Sequence, residues 1–140
     1  MPPPEKPPRF FIDRSLGRIA VPRLLRADGW DVITLSEHYG MPADESVADT
    51  EWIREAASRN WPILMKDKRI RTRQAEIEAV VENNAQCFVI TRGDLTSADM
   101  AARFLANKAA ILAAAGSPGP FIYSVLADRL LRLQHRSLNP

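Results

Sequence analysis

The strongest constraint on this chain is an alternation. Five short apolar runs, RFFID (9–13), DVITL (31–35), PILMKD (62–67), QCFVIT (86–91) and PFIYSVL (120–126), are rich in β-branched and aromatic residues. Each reads as a buried strand. Stretches with helical spacing lie between them. Residues 22–28 begin with proline and stop at Gly29, as helix ends prefer. Residues 49–60 carry Trp52, Ile53, Ala56 and Ala57 on one stripe, and residues 72–84 repeat this with Ile77, Val80 and Val81. Thr96, with Asp99 three positions on, opens the longest helix, which Gly116-Ser-Pro-Gly-Pro ends.

Strand and helix alternating in this way imply one α/β domain of three layers, with a five-stranded, mainly parallel sheet between helices. The domain is expected over 9–133, between a Pro-rich flexible tail at 1–8 and a C-terminal tail at 134–140. A single cysteine, Cys87, excludes a disulfide framework and any multi-Cys zinc site. No apolar run approaches the ~20 residues that cross a bilayer. The opening MPPPEKPPR has no apolar stretch behind its charge, unlike a secretory signal. The expected location is the cytoplasm, with no membrane partner.

In parallel α/β sheets, ligands bind beyond the carboxyl ends of the strands, near the topological switch point. Asp13 ends the first strand, Asp67 ends the third, and Glu37 follows the second in the loop TLSEHYG. Asp49 opens a helix at offsets of three, four and seven from Trp52, Ile53 and Ala56, which puts it on the sheet-facing stripe. Taken singly, each acid reads as a cap or loop residue. Together they would repel one another unless a cation sat among them. Oxygen-only ligation suits Mg²⁺, with Mn²⁺ as a substitute, and such ions activate water in phosphodiester cleavage. Lys66, Lys68, Arg69, Arg71 and Arg73 crowd around Asp67, near a helix start where cations are misplaced. They suit a phosphate backbone held against the protein's own carboxylates, and therefore an RNA-binding surface.

Among other residues, Ser15 is placed to orient Asp13 or to cap a turn, and Asp94 to support the site from outside. Trp52 reads as core, Trp30 and Trp61 as packing, Cys87 as a small buried hydrophobe, and His38 as a loop residue.

The segments FFIDRSLGR and DTEWIREAASRNWPILMKDKRI resemble the PIN domain, in the compact branch that includes VapC-type toxins of toxin–antitoxin systems. PIN domains have an Asp ending the first strand, a later Asp opening a helix, and a strand running into a "TrDkdF"-like element. Those acids correspond here to Asp13, Asp49 and Asp67. Met65-Lys66 stands in place of the usual Thr, and Ile70 in place of the usual aromatic. The longer PIN domains carry an acidic Glu in inserted helices; Glu37 is the candidate for it here, with Asp44, Glu45 and Asp94 as alternatives. The resemblance implies a Mg²⁺-dependent endoribonuclease acting on tRNA or rRNA, a homodimer, and a cognate antitoxin that blocks the site. Two other readings are a catalytically idle PIN-like RNA-binding module and a phospho-acceptor receiver domain. The receiver reading requires adjacent acids on the first strand and a lysine on the fifth; Ile12 precedes Asp13, and PFIYSVLADR holds no lysine.

Overall fold

Every one of the five apolar runs becomes a strand, because residues with stiff, branched or aromatic side chains pack well when covered on both faces. The computed structural model describes residues 7–139. Its strands are β1 (Phe10–Ile12), β2 (Val32–Thr34), β3 (Ile63–Lys66), β4 (Gln86–Ile90), β5 (Phe121–Val125) and β6 (Leu130–Arg132). They form one sheet in the order β2-β1-β3-β4-β5-β6. The first five are parallel, with Phe11 beside Ile33 on one side and Ile63 on the other. β6 pairs antiparallel with β5, Ser124 facing Leu131. This sixth strand departs from the five expected. It is short and half exposed, so no apolar run marks it. The residues assigned to the Pro-rich tail lie mostly outside the described residues.

Side chains alternate across the sheet and build two cores. One face carries Phe11, Ile63, Met65, Cys87 and Val89. It packs against α3 (Asp49–Ser58) and α4 (Gln74–Asn83) through Trp52, Ile53, Ile77 and Val80. The other carries Phe10, Ile12, Leu64, Phe88 and Ile90, covered by α1 (Ala20–Ala27), α5 (Ser97–Ala106) and α6 (Lys108–Ala115). The three-layer α/β architecture is therefore as the alternation implies.

Local chemistry sets several boundaries. The helix expected to run unbroken from Thr96 divides at Asn107, whose side-chain amide donates to the carbonyls of Arg103 and Leu126, 2.8 and 2.9 Å away. The stretch 35–39, expected as a loop, is a short helix α2 (Leu35–Tyr39) closed by a capping box between Thr34 and Glu37. A 3₁₀ turn, Ile70–Thr72, precedes α4. Gly119 is required where it stands: a Cβ there would lie 2.2 Å from the Asn84 carbonyl oxygen and 2.6 Å from that of Ala85. Beyond β6, within the stretch assigned to the C-terminal tail, Leu138 is buried in the Phe11 core. No helix among the described residues is long and apolar enough to cross a membrane.

From β1 the chain steps outward to β2, then returns past β1 to place β3 on its far side. The switch point is the gap between β1 and β3, at the carboxyl ends where Asp13 and Asp67 emerge.

Candidate active site

Asp13 follows Ile12 on the face that carries Phe11, the face covered by α3. It is 6% exposed, a burial that an acid tolerates only with partners. The Ser15 backbone N–H and hydroxyl both donate to its Oδ1, capping the 3₁₀ turn Arg14–Leu16. The Ser15 hydroxyl in turn accepts from the Lys66 backbone N–H at 2.8 Å, tying the end of β1 to the end of β3. Ser15 therefore orients Asp13. Burial pushes the Asp13 carboxyl up to about 7; the Asp49 carboxylate adds to the rise, and the bonds from Ser15 oppose it.

Asp49 is half-buried at the first position of α3, and the Trp52 indole donates to its Oδ1 at 3.1 Å. Trp52 is fully buried and stacks on Phe11, so the core itself fixes this carboxylate beside Asp13.

Asp67 emerges at the same edge but is engaged elsewhere. Its Oδ1 accepts the Arg69 backbone N–H at 2.8 Å, and its Oδ2 accepts Arg73 Nε at 2.7 Å. Among the described residues, no group of three or more His, Cys, Asp or Glu side chains is arranged to hold a metal ion. Asp13 and Asp49 come together; Asp67 is turned to Arg73.

Glu37 is held by its own helix start. Its Oε1 accepts the Thr34 backbone N–H at 2.9 Å and Arg26 Nη2 at 2.7 Å. Burial would raise this carboxyl, but the Thr34 and Arg26 bonds outweigh it and hold it below the usual range. Asp94 is exposed and paired with Arg92 at 2.6 Å, and Glu45 is exposed. Asp44 differs from both. It is 3% exposed, lines a narrow crevice with Asp13, Thr34 and Ser36, and leaves Oδ1 without a partner. Its Oδ2 accepts Arg18 Nη2 at 3.0 Å.

Two residues that no motif singles out build this corner. Arg14 donates to the carbonyls of Asp44 and Val47, at 3.0 and 2.8 Å, and Arg18 pairs with Asp44. Both arginines leave the turn that Asp13 caps, so that turn and the approach to α3 are one unit. Only their nearness to Asp13 in the chain could have signalled this.

Lys66, Asp67, Lys68, Gly93 and Asp94 line an open cleft of about 560 Å³ beside the acids. Lys68, Arg69, Arg71 and Arg73 are exposed and Lys66 is half-buried. The opposite edge of the sheet has a hollow of about 460 Å³ lined by Trp61, Asn84 and Gln86, with no charged side chain. The first cleft thus carries Lys66 and Lys68 beside Asp67 and Asp94, whereas the second is uncharged.

His38 lies in α2 rather than in a loop, with Nε2 3.2 Å from Glu55 Oε2 and its ring edge-on to Trp61. Trp30 and Trp52 are buried. Cys87 is fully enclosed, and burial, with some help from Asp13, pushes its thiol up to about 12; it is inert.

Comparison with known proteins identifies the family. Residues 8–92 match the family described as "PIN like domain". A curated relative, "Putative ribonuclease VapC45" of Mycobacterium tuberculosis, is 42% identical over 124 residues, which is 89% of this chain and 90% of the relative. No solved structure matches. The aspartate ending β1, the aspartate opening α3 and the basic turn after β3 all lie within the matched span, and the chain belongs to the PIN-like domain family, as a VapC-type member.

Proposed function

We propose that the protein is a divalent-metal-dependent endoribonuclease, the toxin of a toxin–antitoxin pair. The observation that carries this reading is the buried Asp13 carboxyl at the switch point of a parallel sheet, close enough to Asp49 for the second acid to raise it, near a cleft that Lys66 and Lys68 line. The VapC-type relative supports the same activity.

The donor types suit Mg²⁺ or Mn²⁺, with Asp67 completing the set only when it leaves Arg73. Its atoms are hard oxygens, Asp13 is buried within electrostatic reach of Asp49, and Asp44 Oδ1 is buried without a partner in the crevice that Asp13 also lines. Asp13, Asp49 and Asp67 would hold the cation, and of the alternatives for a fourth acid Asp44 is favoured by its orphaned oxygen. Glu37 already has two partners. When bound, the cation supplies activation of water and neutralises charge on the scissile phosphate. The chain's own residues do the rest. Ser15 fixes the rotamer of Asp13 and the Trp52 indole that of Asp49. Lys66, Lys68, Arg69 and Arg71 hold the flanking phosphates against the acids' repulsion. The fold resemblance suggests tRNA or rRNA as substrate, a homodimer, and an antitoxin covering the site.

The test is cleavage of end-labelled tRNA and rRNA fragments by pure protein in Mg²⁺, Mn²⁺ or EDTA. Cleavage should need a divalent ion and disappear in both Asp13→Asn and Asp49→Asn. RNA that is bound but left intact with every metal would instead make the chain an idle RNA-binding module.

A further inference from the structure

Arg73 stands at the N-terminal boundary of α4, where the helix dipole disfavours a cation. What holds it there is Asp67. The Arg73 Nε–Asp67 Oδ2 distance is 2.7 Å, the carboxylate is 12% exposed and the guanidinium 46%. The other oxygen of Asp67 accepts the Arg69 N–H. Both carboxylate oxygens are thus engaged, and the strong partner is a side chain half in solvent, free to swing away. Asp13 and Asp49, by contrast, are bonded by Ser15 and by the Trp52 indole, and among the described residues neither has a cationic hydrogen-bond partner. A carboxylate at the same edge therefore already has its positive charge supplied from within the chain.

We infer that Arg73 is an internal counter-ion, which holds the Asp67 carboxylate while no cation is bound and yields it when one arrives. Cation capture and release of the Arg73 guanidinium are then one event. The freed guanidinium lies beside the basic cleft, where it gains an RNA phosphate as its new partner. Coupling is reciprocal: RNA that engages Arg73 strengthens cation binding, and the cation strengthens RNA binding. The inference rests on the nuclease reading, and assigns Arg73 a role distinct from that of Arg69 and Arg71.

The experiment titrates Mn²⁺ into the full chain without RNA, following free Mn²⁺ by electron paramagnetic resonance. Arg73→Gln should bind Mn²⁺ about fivefold or more tightly than wild type, the lower end of typical coupling between sites. Arg71→Gln removes the same charge from the same cluster and should change Mn²⁺ affinity much less. Arg73→Lys, which keeps charge but loses the planar fork, should fall between. It also serves if Arg73→Gln fails to fold by circular dichroism. A second readout is affinity for tRNA in EDTA, where nothing is cleaved. Asp67→Asn should tighten it more in the chain with Arg73 than in the Arg73→Gln chain. Equal Mn²⁺ affinity in Arg73→Gln and Arg71→Gln would overturn the inference and leave the nuclease reading standing. Absence of Mn²⁺ binding in all of the chains would overturn both.

Discussion

Replacing Asp13 by Asn tests the electrostatics of the site without touching RNA. In the unfolded chain this carboxyl ionises near 3.8, and in the fold near 7. The folded state therefore holds its proton over a range where the unfolded state has released it. Stability from this group is fully present below pH 3.8 and is lost progressively as pH rises through 7. A shift of about three units, at about 1.36 kcal/mol each, sets a loss of about 4 kcal/mol at pH 8. Asn has almost the same shape and still accepts the Ser15 N–H and hydroxyl, but carries no charge to desolvate. At pH 4 the two proteins should be equally stable within about 1 kcal/mol, the worth of one altered hydrogen bond. At pH 8, in EDTA, Asp13→Asn should be more stable by about 2–4 kcal/mol. Urea unfolding at four pH values between 4 and 8 measures this directly. Mn²⁺ at a hundredfold excess over its dissociation constant should restore about 2.7 kcal/mol to the wild type and almost nothing to the variant. Parallel pH profiles for the two proteins would refute the reasoning, because Asp13 would then be ionised in the fold at no cost.

Gly119→Ala should cost about 3 kcal/mol or more and lower the melting temperature, because its Cβ would meet the backbone carbonyl oxygens of Asn84 and Ala85 rather than yielding side chains. Arg71→Glu should weaken RNA binding and reduce the slope of log K against log salt by about 0.7 for each single-strand phosphate that is no longer neutralised, as read by filter binding across a salt series. Thr34→Ala removes the hydroxyl that accepts the Glu37 N–H at 3.1 Å and should cost about 1 kcal/mol by thermal melt, with RNA cleavage unchanged.

The three-layer plan was legible because periodicity encodes it: short apolar runs between helical stretches read as strands buried beneath helices, even for β2 at the sheet edge. β6 was not, since Leu130–Arg132 are exposed or half-exposed and pair through backbone groups that any sequence offers. The break at Asn107 was hidden for a related reason: the amide bonds to the distant Leu126 carbonyl, a partner that no local pattern announces. In the site, Asp13 and Asp49 were readable from a strand end and a helix stripe. The fate of Glu37 was half visible, because Thr34 three residues earlier is the signature of a capping box. The engagement of Asp67 by Arg73 was not visible, since a basic run shows how much charge is present but not which guanidinium turns inward.

Arg14 and Arg18 also decide where the chain between β2 and α3 is anchored. Together they hold Asp44 and Val47 to the turn beneath Asp13, so the register of the helix carrying Asp49 is set downstream of residue 43. The stretch 40–43, upstream of that clamp, is tied through its backbone, with the Gly40 N–H donating to the Ser36 carbonyl and the Gly40 carbonyl accepting from the Asp44 N–H, both at 2.8 Å, while the Met41 side chain is exposed. Insertions at Met41 would lengthen this turn at the cost of the Asp44–Gly40 bond, while the Arg14 and Arg18 contacts stay downstream of the change. The same number of residues inserted between 44 and 49 would separate the clamp from the helix it positions.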